Sequence, residues 1–224
     1  QKYCKIFICL EDMNRNIFDD VLFAVSREDH RIEKQIVKNH KVMKMLTVCS
    51  GGCVPLSLKA IFPDLQIMAL DINQHQIDHV KEKSEAIIKR DFKSLNIGQQ
   101  NDKGINQSGK FEKMFQSLRK TFFEQVSNLD KVKEFFDSKT VINRRQTILI
   151  SWLEHANIRE PFEHVFNDRS IETVFSDRAT KQGEKGTYVD YFLKKITQGL
   201  HHPNAHNNPF LQHIFLGYYK ARSM

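Results

Sequence analysis

From residue 16 to residue 38, in NIFDDVLFAVSREDHRIEKQIVK, apolar residues recur at helical spacing: Ile17, Val21, Ala24 and Val25, then Ile32 and Ile36. The charged run Ser26-Arg27-Glu28-Asp29-His30-Arg31 interrupts them, so the pattern predicts helix, loop, helix. KMLTVC, 44–49, reads as a short buried strand. It breaks into Ser50-Gly51-Gly52-Cys53, and a helix is predicted over 55–62 with Pro55 tolerated in its first turn. FPDL closes that helix, and QIMALDI, 66–72, is a second buried strand that brings Asp71 to its end. The next helix runs from about Gln74 to Arg90, with Ile77, Val80, Ser84 and Ile87 or Ile88 on one face. A right-handed crossover makes the two strands parallel neighbours.

The character changes after residue 95. LNIGQQNDKGINQSG, 95–109, is polar, contains glycine and has no period, so it reads as an exposed loop. Residues 110–136 are predicted helical, with Phe111, Phe115, Leu118, Phe122 and Phe123 on a rough stripe. TILISWLEH, 147–155, fits strand or helix, and its neighbours favour helix; 188–199 and 209–220 also read as helices. The fold class expected is α/β: a Rossmann-like unit in residues 1–95, with a large, mostly helical insertion or C-terminal part in 96–224. A doubly wound sheet normally has five or more strands, and only two are evident here. Either a stretch read as helix is a strand, or the chain stops before the sheet is complete.

At 40% hydrophobic and 27% charged, the composition is that of a globular protein and excludes a disordered one. No apolar run reaches the roughly 20 residues of a membrane-spanning helix. The chain opens on Gln1 with no initiator Met, which suggests trimming, and it shows no secretory-signal pattern. Cys4, Cys9, Cys49 and Cys53 lack paired Cys-x-x-Cys spacing, so reduced cytoplasmic thiols are expected and no zinc. The net charge of +7 suits an anionic partner, but the basic residues are interspersed with acids and form no dense run, so nucleic acid is not expected. His201, His202, His206 and His213 lie in or beside a polar, proline-broken loop without acids at ligand spacing; no metal site is expected there. Trp152 and the phenylalanine stripe read as core.

The glycine turn carries the chemistry. A strand, a glycine turn and a helix N-terminus together aim backbone N–H groups and the helix dipole at a ligand. A side chain at Gly51 or Gly52 would block that approach. Asp71 follows about twenty residues on, where such folds bond ribose hydroxyls. The alternative is a tight turn and a helix-capping acid. Neither G-x-G-x-x-G nor a phosphate loop occurs, which favours a cofactor without pyrophosphate: S-adenosylmethionine.

MLTVCSGGCVPLSL followed by IMALDINQHQIDHVKEK resembles the S-adenosylmethionine:diacylglycerol 3-amino-3-carboxypropyltransferases of betaine-lipid synthesis. Ser50, Gly52 and Cys53 fit that family's Ser-x-Gly-Cys-Asn; Asp71, Asn73, Gln76 and Lys83 fit its Asp-Leu-Asn-Pro-x-Gln and downstream Lys. Val54 and Gln74 depart from it. VSREDHRIE is similar to the family's Glu-Asp-x-Arg segment, and GKFEKMF and NPFLQHIFLGYY to pieces of its helical insertion. The resemblance implies that Ser50, Gly51, Gly52, Cys53, Asp71, Ile72, Asn73 and Gln76 hold the cofactor, with Arg31 on its carboxylate. Glu28, Asp29 and His30 become the candidate general bases for a lipid hydroxyl. The reaction implied is transfer of the 3-amino-3-carboxypropyl group to a diacylglycerol-like acceptor, with methylthioadenosine released. It would proceed at the cytoplasmic membrane face, where basic flanks such as Lys194 and Lys195 would meet headgroups. Methyl transfer from the same cofactor, and a truncated non-catalytic nucleotide-binding or interaction module, are the alternatives.

Overall fold

The computed structural model describes residues 19–175 and 186–220. Cys4 and Cys9, expected as reduced thiols, and Ile17, expected in a helix, lie outside the described residues. Among the described residues there are ten α-helices and a single sheet of two parallel strands. The expected Rossmann-like α/β fold is therefore corrected to a mostly helical one. The stretches where further strands would have to lie, within 110–136, 147–155, 188–199 and 209–220, are helices, and their buried apolar residues sit at helical spacing: in 147–155 Ile148, Leu149 and Trp152 are buried while Ile150 is exposed.

The described chain divides into two compact units. The first takes residues up to Leu95 together with Lys103–Glu112; the second takes Asn96–Asp102 and everything from Lys113 on. In the first unit α1 spans Arg31–His40, β1 Lys44–Val48, α2 Cys53–Ile61, β2 Gln66–Leu70 and α3 Gln74–Lys89. β1 and β2 pair in parallel with Leu46 opposite Met68 and Val48 opposite Leu70. Because side chains alternate along a strand, one face of this pair packs inward and the other faces out. Ile67 and Ala69 are buried, and Val37, Val54, Leu58, Leu65 and Ile67 form a core cluster under α1 and α2. On the other face Leu46 and Val48 stay 64% and 70% exposed, although parallel sheets are ordinarily covered on both sides.

The helix predicted before the charged run is absent over the described residues 19–30. Its backbone groups bond elsewhere. The amides of Lys110 and Phe111 donate to Val21 O and Leu22 O, and side chains of α3 take much of the rest. Backbone groups already bonded from outside the segment cannot also close i to i−4 bonds.

In the second unit, α4 begins at Lys110 and ends at Gln125, its first turn belonging to the first unit; α5 spans Leu129–Phe136, α6 Ile142–Leu153, α7 Glu160–Val165, α8 Asp168–Val174, α9 Tyr188–His201 and α10 Pro209–Leu216. Asn128 caps α5 and splits the long helix read over 110–136. Phe122, Phe135, Phe136, Trp152 and Phe215 build an aromatic core, with Trp152 Nε1 donating to Ser127 Oγ at 2.8 Å. The 95–109 loop holds a short 3₁₀ turn at Ile105–Gln107.

Candidate functional site

The turn Ser50–Cys53 joins β1 to α2 at the carboxyl edge of the strands. Ser50 (φ 45°) and Gly52 (φ 75°) are both left-handed. Asp71, just past β2, ties the two strand ends together: its Oδ2 accepts from Ser50 N at 3.2 Å and its Oδ1 from Asn73 N at 3.0 Å. Gly52 offers no side chain to cap α2, so that helix opens with first-turn N–H groups lacking a side-chain acceptor.

The glycines have an internal cause. A Cβ on Gly51 would sit 2.5 Å from the backbone of Val25, and one on Gly52 would sit 2.7 Å from the Val80 side chain. What comes close to this turn is the chain itself: the segment before α1 and the buried face of α3.

That face differs from the one the apolar pattern suggested. Ile77 and Val80 are buried, but Ile87 and Ile88 are exposed, and the buried row continues through Asn73, Gln76, His79 and Lys83. These polar residues lie three or four apart, on one side of the helix. Asn73 Oδ1 caps α3 by accepting from His75 N, while its Nδ2 donates to Asp20 O. Gln76 Nε2 donates to Phe23 O and Ser50 O at 2.5 and 2.7 Å, and its Oε1 accepts from Leu22 N and Phe23 N. Lys83 Nζ donates to Ala24 O and to Gly51 O. Glu112, with no exposed side-chain surface, accepts from Ala24 N at 2.6 Å and pairs with Arg27 at 3.3 Å. The effect is a set of polar side chains that bind residues 20–26 and the turn into one piece.

Burial sets the electrostatics here. It lowers the Lys83 ammonium below its ordinary range, Cys53 and Glu112 opposing it. It raises the Cys49 thiol to about 11, with Asp71 adding to the effect. His79 is held down to about 4, first by burial and then by Lys83. Its Nε2 lies 2.9 Å from Ala24 O, so that nitrogen carries the proton of the neutral ring. The folded ring is neutral where the unfolded ring, titrating at 6.5, binds a proton. Stability is therefore intact above pH 6.5 and falls as pH drops toward 4, by about 3 kcal/mol in all. Glu112, whose carboxyl burial raises, contributes with the opposite sign. The expected result is that urea midpoints at pH 7 and pH 4.5 differ more in the wild type than in His79→Gln. Equal differences would remove His79 as the cause.

The expected catalytic residues lie apart from this network. Glu28 and Asp29 are exposed, and His30 is half-buried where α1 begins. Asp29 pairs with Arg31 at 2.5 Å, which holds the Asp29 carboxyl well below the usual carboxylate range; the Arg31 side chain is 81% exposed. The contact of this segment with the turn is made earlier in the chain, at Val25 and Ser26. Of the expected cofactor residues, Ser50, Gly51, Gly52, Cys53, Asp71, Asn73 and Gln76 come together; Ile72 follows Asp71 and is 66% exposed. His79 and Glu112 were not anticipated. His79 is marked only by its place between Gln76 and Lys83 on one helical row, and nothing local marks Glu112.

Among the described residues no cluster of three or more His, Cys, Asp or Glu is placed to hold a metal ion, and no helix is long and apolar enough to cross a membrane. Compared with known proteins, the chain matches no family model, no curated protein and no solved structure. The resemblance to the aminocarboxypropyltransferases accordingly stands on the quoted residues alone.

Proposed function

We propose that the carboxyl edge of the β1–β2 pair binds S-adenosylmethionine, and that the protein transfers its 3-amino-3-carboxypropyl group to a lipid hydroxyl. The observation that carries the binding half is the meeting of Asp71 with the Ser50 turn beside the uncapped start of α2. A carboxylate has about four acceptor positions, and Asp71 spends two on backbone amides. The remainder suits the two hydroxyls of a ribose. The α2 N-terminus suits the carboxylate of the methionine arm. The choice of γ-carbon over methyl rests on the family resemblance, since the sulfonium supplies the electrophile and its orientation decides which carbon is attacked. Membrane contact and the diacylglycerol-like acceptor come from the same resemblance.

A second reading, a non-catalytic module, has one observation in its favour. Val25, Ser26 and Val80 already explain why the turn is small, whether or not a ligand lies there. Calorimetric titration with S-adenosylmethionine decides between them, followed by mass spectrometry of the nucleoside released with a neutral lipid extract. The expected results are saturable binding, a roughly 10- to 100-fold weaker affinity in Asp71→Asn, and methylthioadenosine above the no-protein control. S-adenosylhomocysteine would mean methyl transfer. No binding to the folded wild type would end the cofactor reading.

A further inference from the structure

Cys53 and Lys83 meet beside the turn, Cys53 at the start of α2 and Lys83 among the side chains of α3 that hold the turn in place. Cys53 Sγ lies 3.9 Å from Lys83 Nζ. The lysine is 3% exposed, and its ammonium is fixed by Ala24 O and Gly51 O, so its approach to the sulfur is set by the fold. The sulfur also accepts the Ser26 amide at 3.4 Å. The other free thiol among the described residues, Cys49, is 1% exposed and held protonated by burial; Cys53 is only partly buried. A small oxidant therefore reaches Cys53 first, at a sulfur whose neighbours are an N–H donor and an amine.

We propose that Cys53 and Lys83 are the two ends of an oxidative cross-link, a sulfenamide formed in the presence of a peroxide. In the first step the Cys53 sulfur attacks one oxygen of hydrogen peroxide. An S–O bond forms, the O–O bond breaks, and water leaves with the thiol proton; sulfur is oxidised and peroxide reduced. In the second step the neutral Lys83 amine attacks the sulfenic sulfur. The S–N bond forms, the S–O bond breaks, and hydroxide leaves with an amine proton as a second water. The four-carbon stem of the lysine closes the remaining gap. Burial, which lowers the Lys83 ammonium, favours the neutral amine that the second step needs. The product joins the start of α2 to the middle of α3, and a thiol reductant would reverse it.

The test is peroxide titration of the full chain, digestion without reductant and tandem mass spectrometry. The expected product is a cross-linked peptide pair joining Cys53 to Lys83, about 2 Da lighter than the sum of its parts, and lost on treatment with dithiothreitol. Cys49→Ser should retain it and Cys53→Ser should lack it, which separates it from a Cys49–Cys53 disulfide of the same mass change. Replacing the buried lysine risks the fold, so those two cysteine variants carry the test. Oxidation that stops at Cys53 with Lys83 free, a Cys49–Cys53 disulfide, or a bridge that retains oxygen would each overturn the proposal.

Discussion

Gly51→Ala is expected to cost the first unit about 3 kcal/mol or more, a large part of the stability of a typical domain. Overpacking is milder where a side chain can swing away. Here the obstacles are Val25 C and Cα at 2.5 Å and Ser26 N at 2.6 Å, all backbone. That backbone is itself fixed: Ala24 N and O are bound by Glu112, His79 and Lys83. The new methyl must push apart either the turn or the segment, and both are anchored. Gly98→Ala is the control. Gly98, unlike Gly51, has a positive φ, of 80°, and its Cβ would meet nothing within 4 Å, so only the left-handed strain of about 1 kcal/mol applies. Hydrogen exchange over residues 44–58, with far-UV circular dichroism, reads the difference. Protection in Gly51→Ala should collapse. If instead the variant keeps its protection and loses S-adenosylmethionine binding, the turn is small for a ligand and not for the chain.

The same turn shows where the sequence was legible. Glycines after an apolar strand require a close approach, and the requirement is real. What approaches could not be read, because Val25 and Gly51 are brought together by tertiary contacts and no spacing rule links them. The strands at 44–48 and 66–70 and the helix at 74–89 were readable, since each carries its own period and caps. The sheet's size was not. Two parallel strands with a crossover helix invite completion to a doubly wound fold, and the helical period of the later stretches is the only local sign against it. The lost helix before residue 30 fails for a different reason. Val21, Ala24 and Val25 have helical spacing, and Ala24 and Val25 are buried, but the segment is held in an irregular path by side chains of α3 and by Glu112, more than fifty residues away. In the same way Asp71, Asn73 and Gln76 were expected as cofactor contacts; Asp71 and Gln76 are found bonded to the turn and Asn73 to Asp71, while the partners of Gln76 were visible only in three dimensions.

Gln76→Met should lower the stability of the first unit by about 3–5 kcal/mol, and should do so by releasing one segment. Methionine matches the length of glutamine, so the loss is not a cavity. It is four hydrogen bonds at one side chain: two carbonyls, Phe23 O and Ser50 O, lose a donor, and two amides, Leu22 N and Phe23 N, lose an acceptor. A made bond contributes about 1 kcal/mol net, but a buried group left without a partner costs about 1–3 kcal/mol, and several groups here are only part-buried and regain water. Gln76→Glu should fare no better, because it keeps the acceptor but sets a carboxylate oxygen against two carbonyls. Gln74→Ala is the control, since the exposed Gln74 makes its side-chain bond to the equally exposed Asp78 and should change stability by less than about 0.5 kcal/mol. Amide exchange separates the two roles open to Gln76. If it is a clamp, protection at Leu22–Ser26 is lost first, and cofactor binding weakens only as the turn loosens. If it is a ligand contact, binding falls while those amides stay protected. The bond pattern favours the clamp: both ends of this amide are occupied by the chain's own backbone, and the group left to meet a cofactor is Asp71.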